Sequence, residues 1–462
     1  MSCASFWRVH PLSEKSKKMK IIKLLSLLAF AFLLTFCKKN EEPPNVDQTA
    51  LFEVVSVLDS AQSKFIEYAN LTNGDLPRSL DLTEYWLLSQ PDVKSAYSME
   101  DGYITINLKS GLKTTFYFNT VDDNGVSIYR GGKGGSTINA ASEFINHANE
   151  ILTNNIIENK KVLLFETSID LDLEPQIKII TDILNNSGLD LKVTVLKYEQ
   201  CTVEAVETFK NYGLVIIDGH GDINTFQLGE KIDFTNKPKT KESVNNEIQT
   251  QLGSSDASKI SSGDIELAAS VKGNPKKSDW VNRIIKDGMY RTSMSGKYIA
   301  ALPPMPKTII FGNMCYSGWI LTSVSIPEKK WVADNKVYTI PAKIKYFENP
   351  IGKAFIGRNL ISYYGFTRNE YKRNDIVWPI GSSRVVTDDF STKVEKIFVQ
   401  RLVTARDNTG IANLNYSDNK TEYCDIGTDD LRGDLFFRHY GADNYSYASG
   451  GGGGGAAPPG GP

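Results

Sequence analysis

The chain has 462 residues, of which 41% are hydrophobic and 23% charged, with a formal net charge of −2. At roughly 150 residues per domain this allows about three domains, and the proportions exclude a fibrous, collagen-like, wholly disordered or polytopic membrane chain. So small a charge offers no field to gather nucleic acid. The scarce residues are more telling: there are four histidines and five cysteines, with no Cys-x-x-Cys spacing, so neither a zinc ribbon nor a disulfide scaffold is indicated.

In chain order, Lys17, Lys18, Lys20 and Lys23 lead into the uncharged stretch 24–36. A basic segment followed by about 13 mostly apolar residues reads as an export signal and is too short for a typical membrane span. The stretch ends Leu34-Thr35-Phe36-Cys37 and passes into a polar tether, 37–48. This ending resembles a bacterial lipoprotein signal, which implies lipidation at Cys37 and a lipid anchor holding the protein to a membrane of the bacterial cell envelope. Met19 makes a better start for such a signal than Met1. Residues 1–36 hold six basic residues and one acidic, so the exported chain is more acidic, at −7. Such a chain is a poor direct ligand for nucleic acid.

Leu51, Val54, Val55, Leu58, Ala61 and Phe65 recur at helical spacing, predicting a helix over about 50–70. Residues 103–108 and 115–118, joined through Ser110-Gly111, read as a β-hairpin. Residues 49–130 are therefore expected to form a small α+β N-terminal domain, closed by a linker at Gly131-Gly132-Lys133-Gly134-Gly135. That linker does not fit a phosphate loop, because Gly134 stands where Ser or Thr must follow the lysine.

From residue 160 short apolar runs alternate with amphipathic helices. Runs at 161–165, 191–196, 214–217, 308–311 and 360–364 alternate with helical patterns carrying Ile177, Ile180 and Leu184, then Val203, Val206 and Phe209, then 351–356, and finally Val394, Phe398 and Leu402. This predicts an α/β domain over 137–445 with a mostly parallel sheet covered by helices on both faces. Residues 222–305, rich in Lys, Ser, Asn and Gly, form an insertion: a lid, a substrate-binding arm, a loop cut during activation or a solvated excursion. Residues 446–462 read as a flexible Gly/Pro-rich tail.

In an open parallel sheet, ligands bind beyond the carboxyl ends of the strands. One predicted strand ends in Asp218-Gly219-His220-Gly221, and another runs into Asn313-Met314-Cys315-Tyr316-Ser317-Gly318. If these strands are neighbours, an imidazole and a thiol share one crevice. A thiol is only slightly ionised at neutral pH, and a nearby histidine can take its proton. Glycines beside the histidine leave backbone N–H groups free, and the amides of Gly221 and Cys315 could stabilise an oxyanion.

On these residues the sequence resembles the caspase-haemoglobinase superfamily of cysteine peptidases, which includes caspases, metacaspases, clostripain, gingipains and legumain. The resemblance spans about 160–405 and rests on an apolar block ending in His-Gly and another ending in Cys. It implies a caspase-like fold, Cys315 as nucleophile, His220 as general acid/base, a protein or peptide substrate, and no cofactor or metal. His220 and Cys315 stand 95 residues apart, against about 50 in caspases, the excess lying in 222–305. Basic-specific members carry Asp two positions before the cysteine, where this chain has Asn313. Preference for Arg or Lys is therefore not implied.

Two other readings share these residues: a catalytically inactive surface binding protein that keeps the fold as a scaffold, and a thiol hydrolase acting on small amides. His10, His147 and His439, and Cys3, Cys201 and Cys424, stand where no such pairing is suggested.

Overall fold

The first helix forms where the apolar spacing places it. The computed structural model describes residues 46–99, 102–121, 155–168, 174–237, 239–275, 277–314, 316–320, 322–326, 328–333, 336–368, 388–410, 412 and 435–447. The stretch read as an export signal, Cys37, the 131–135 segment and residues 448–462 lie outside the described residues, whereas Ser446 and Tyr447, the first two residues of the expected tail, are buried. Helix α1 (Gln48–Leu71) starts at Asp47, whose carboxylate accepts from the N–H groups of Thr49 and Ala50, satisfying donors that the first turn leaves open. Helix α2 (Leu76–Leu88) follows, capped in the same way by Asp75. Strands β1 (Val93–Met99), β2 (Tyr103–Leu108) and β3 (Lys113–Thr120) then form an antiparallel meander.

Next come β4 (Asn155–Ile156), β5 (Lys161–Glu166), helix α3 (Glu174–Asn185), β6 (Lys192–Lys197), the short α4 (Val203–Glu207) and β7 (Leu214–Asp218). The expected insertion folds as β8 (Thr225–Asp233), α5 (Lys241–Ser261), β9 (Ile265–Gly273), β10 (Ile285–Lys286) and β11 (Met289–Ser295). Helix α5 is broken at Gly253, whose φ of 84° lies in the left-handed region that glycine tolerates. The chain continues with α6 (Gly296–Ala301), β12 (Ile309–Asn313) and four ribbon strands: β13 (Ser323–Ile326), β14 (Lys329–Ala333), β15 (Lys336–Ile340) and β16 (Lys343–Tyr346). It ends with α7 (Ile351–Ile356), β17 (Ser362–Arg368), α8 (Asp388–Val399), β18 (Leu435–Gly441) and β19 (Tyr445–Ser446).

Two large sheets organise these elements. The six-stranded sheet has the order β18-β17-β12-β7-β5-β6, parallel throughout except for β18. Strands β5, β7 and β12 are almost wholly buried, as cover on both faces requires. Leu164, Ile216 and Phe311 pack with Ile177 and Ile180 of α3 and Phe398 of α8, while Phe165, Val215 and Ile310 face Val203, Phe209 and Phe355. The protein is thus mixed α/β, with a mostly parallel sheet flanked by helices.

The second sheet corrects the expected domain plan. Strands run in the order β1-β2-β3-β9-β11-β8, with β10 on the side of β9. Strand β3 pairs in parallel with β9, from Thr114 opposite Leu267 to Thr120 opposite Gly273. The N-terminal meander and the insertion are therefore one sheet rather than a separate small domain and a solvated excursion. Alternation explains why. Phe116, Leu267, Ala269, Val271, Tyr290 and Phe226 form one apolar face with Leu51, Val54, Leu58 and Phe65 of α1.

The ribbons β13–β16 and β14–β15 invert the usual pattern. Lys329 and Lys343 turn inward onto Asp81 and Glu84 of α2, and Lys345 is 2% exposed over the rings of Tyr97 and Phe347. Lys329 and Lys343 are ion-paired, and Lys343 and Lys345 lie over aromatic faces, which makes their burial tolerable.

Candidate active site

The strands that carry the two predicted residues are neighbours. β7 and β12 pair in parallel, with Asp218 opposite Asn313 at their carboxyl ends. Beyond β7 the chain passes through Gly219, where an added Cβ would sit 1.9 Å from Thr167 Oγ1 and displace that side chain. His220 follows, half-buried, with its N–H donating to Ser168 Oγ at 3.4 Å and its carbonyl accepting from Gln227 N at 2.9 Å. The turn closes through Asp222, whose Oδ1 accepts from the N–H groups of Asn224 and Thr225 at 2.6 and 2.8 Å. Gly221 N–H has no acceptor among the described residues.

Cys315 lies outside the described residues; its chain neighbours do not. Met314 and Tyr316 are buried, and Tyr316 has φ 58°, a left-handed conformation unusual for a bulky side chain. The Ser-Gly that follows has a clear structural job. Ser317 Oγ donates to Gly312 O at 2.6 Å and accepts from Phe366 N at 3.0 Å, and Gly318 N donates to Phe366 O at 2.8 Å. These bonds press the segment after Cys315 against β17, where Gly365 leaves room for it. A Cβ on Gly365 would stand 2.6 Å from Gly318 N, a collision with backbone. Gly365→Ala should therefore lower stability by about 1–3 kcal/mol, the usual range for overpacking. A melting curve unchanged from wild type would disprove this contact.

A cavity of about 120 Å³ opens beside His220 and is lined by His220, Gly221, Asp222 and Tyr316. Its floor is the polar face of the seven-stranded sheet: Thr115, Tyr117 and Asn119 of β3, Gln227 of β8, and Arg291 and Ser293 of β11. Sequence reasoning did not find these residues. The available signal was the alternation Thr115-Phe116-Tyr117-Phe118-Asn119, whose polar set lines the cavity while Phe116 faces the core. Asn313 does not line the cavity; it is completely buried between Asp218 and Glu395.

Electrostatics around the His220 turn are unusual. Asp222 is buried and its carboxyl is pushed up by that burial, against which the Asn224 and Thr225 amides and Lys345 pull down. Glu266 of β9, 4% exposed, is pushed up to about 8, by burial first and then by Asp222. Among the described residues no group of three or more His, Cys, Asp or Glu side chains could hold a metal ion.

A second constellation has the outline of a Ser-His-Asp triad. His439 of β18 places Nε2 3.1 Å from Ser362 Oγ and Nδ1 3.1 Å from Asp443 Oδ1. Ser362 is fully buried, however, and its hydroxyl donates to Ala442 O at 2.7 Å. The proton a base would remove is already committed, no substrate can reach it, and the arrangement ties β17 to β18. Cys201 is also fully buried, with Sγ donating to Glu166 O at 3.1 Å, and burial raises its pKa, which marks an inert thiol. The remaining histidines and cysteines named above lie outside the described residues.

Against this geometry, no protein-family model, curated protein or solved structure matches the chain.

Proposed function

We propose that the protein is a cysteine endopeptidase of caspase-like fold, exported and anchored through a lipid on Cys37. The observation that carries the reading is the in-register pairing of β7 and β12, which aligns the strand ends leading to His220 and Cys315. The flanked, mostly parallel sheet supports the fold, and the cavity bounded by His220, Gly221 and Tyr316 supplies a place for substrate. The insertion then acts as a substrate-binding arm, because β8 and β11 build the cavity floor.

The chemistry follows from the residues. His220 takes the thiol proton, the Cys315 thiolate attacks the scissile carbonyl carbon, and the resulting oxyanion is met by the N–H groups of Gly221 and Cys315. His220 returns the proton to the leaving amine, and a thioester remains. The same imidazole then activates water to hydrolyse it, releasing the acid and restoring the thiol.

The test is digestion of unfolded protein substrates by the purified protein, with and without prior alkylation. Cleavage should occur, iodoacetamide should block it, and peptide mapping should find the label first on Cys315. Absence of cleavage, or cleavage indifferent to a fully alkylated Cys315, would refute the assignment.

A further inference from the structure

Four side chains that the mechanism leaves unused meet at the carboxyl ends of the six-stranded sheet. They are Gln176 of α3, Asp218 of β7, Asn313 of β12 and Glu395 of α8, none more than 4% exposed. Asn313 Nδ2 donates to Asp218 Oδ1 at 2.6 Å and to Glu395 Oε2 at 2.7 Å. Gln176 Nε2 donates to Asp218 Oδ1 at 3.2 Å and also to Glu395 Oε2. Two carboxyl groups thus share the same two amide donors in a dry interior.

Burial makes two full negative charges on so close a pair costly. Burial first, then Asp218, holds the Glu395 carboxyl well above the usual carboxylate range. Among the described residues the charged group facing Glu395 is Asp218. Glu166, the register partner of Asp218 on β5, is the next carboxylate along the strand ends. Arg401, on the turn continuing α8, is engaged by Asp407 at 2.9 Å. The contributions of α3 and β12 are neutral amides.

We propose that Glu395 is a positioning residue that clasps the strand end leading to His220 to the strand end leading to Cys315. The inference rests on the peptidase reading and adds a residue to it. Asp218 precedes His220 by two residues and Asn313 precedes Cys315 by two, so any displacement of the clasp passes to the pair through two peptide units. The clasp needs one shared proton. If both carboxyls ionise, their repulsion falls on the amide that joins the strands. An apolar residue at 395 would remove the acceptor that the Gln176 and Asn313 amides share.

Glu395→Gln keeps the shape and the hydrogen-bonding capacity but cannot ionise, whereas Glu395→Ala removes the clasp. Both are compared with wild type as full chains. The readouts are the rate at which iodoacetamide modifies Cys315, located by peptide mapping, and the pH profile of kcat/KM. Glu395→Ala should slow both by about tenfold or more, as misplacement of reacting groups does. Glu395→Gln should stay near wild type at neutral pH, and its rate relative to wild type should climb as the pH becomes alkaline. A flat ratio across pH, or an unimpaired Glu395→Ala, overturns the clasp. Should Glu395→Ala fail to fold, the Glu395→Gln ratio decides alone. If wild type cleaves nothing, the peptidase reading falls, while the Cys315 modification rates still judge the clasp.

Discussion

Cys315→Ala should reduce kcat/KM for peptide cleavage by about 10⁴ or more, leaving only what binding and oxyanion donors supply without a nucleophile. The melting curve should stay close to wild type. His220→Ala should bring a loss of similar size, since nucleophile and base work as one unit, and the double variant should be hardly worse than either single one. Additive losses would mean that the two groups act separately. In His220→Ala the remaining thiol should also need higher pH to react with iodoacetamide, because the imidazole no longer takes its proton. If the pH at which Cys315 becomes reactive were unchanged, His220 would not be its partner. Ser362→Ala is the useful control: its hydroxyl is sealed beneath β18, so cleavage should persist.

The parallel sheet was legible in the sequence because its central strands are buried on both faces and read as apolar runs. Residues 214–217 and 308–311 could be placed as strands, and their neighbourhood is what the structure adds. The seven-stranded sheet was hidden for the opposite reason. Its strands alternate polar and apolar residues, and β3 finds β9 only across some 150 residues of chain, a choice made by the apolar face of α1 rather than by any local signal. Strand β18 was also not singled out, although residues 435–441 fell within the expected α/β domain. Within the candidate site, the histidine and cysteine stood out through their glycine neighbours. The cavity floor did not, because Gln227 and Ser293 look like ordinary strand positions until the sheet is assembled. Asn313 illustrates the limit best. Position alone compared it with a specificity residue, whereas its amide is spent on Asp218 and on Glu395, 82 residues further along.

Stability should fall as the pH rises between 4.5 and 8, and Glu266 should account for a large part of that fall. Its carboxyl moves from an ordinary value of 4.5 to about 8 in the folded protein, through burial and then Asp222, opposed by Lys113 and Lys345. Below 4.5 both states hold the proton and the contribution is fully present. Between 4.5 and 8 the unfolded chain releases its proton while the folded one keeps it, so the unfolded state gains; above 8 the loss is complete. A shift of this size corresponds to at most about 4–5 kcal/mol. Glu266→Gln removes the proton equilibrium while keeping the volume, so its melting temperature should depend less steeply on pH and should exceed that of wild type under alkaline conditions. Equal slopes for the two proteins would assign the proton uptake to another group, with Glu230, pushed up to about 7 by burial, the next to replace. The consequence reaches the candidate site through Asp222, two residues beyond His220 in the turn that lines the cavity. Ionised Glu266 sets a second carboxylate against that turn, so wild type should lose activity in alkaline solution before it unfolds, and Glu266→Gln should retain it.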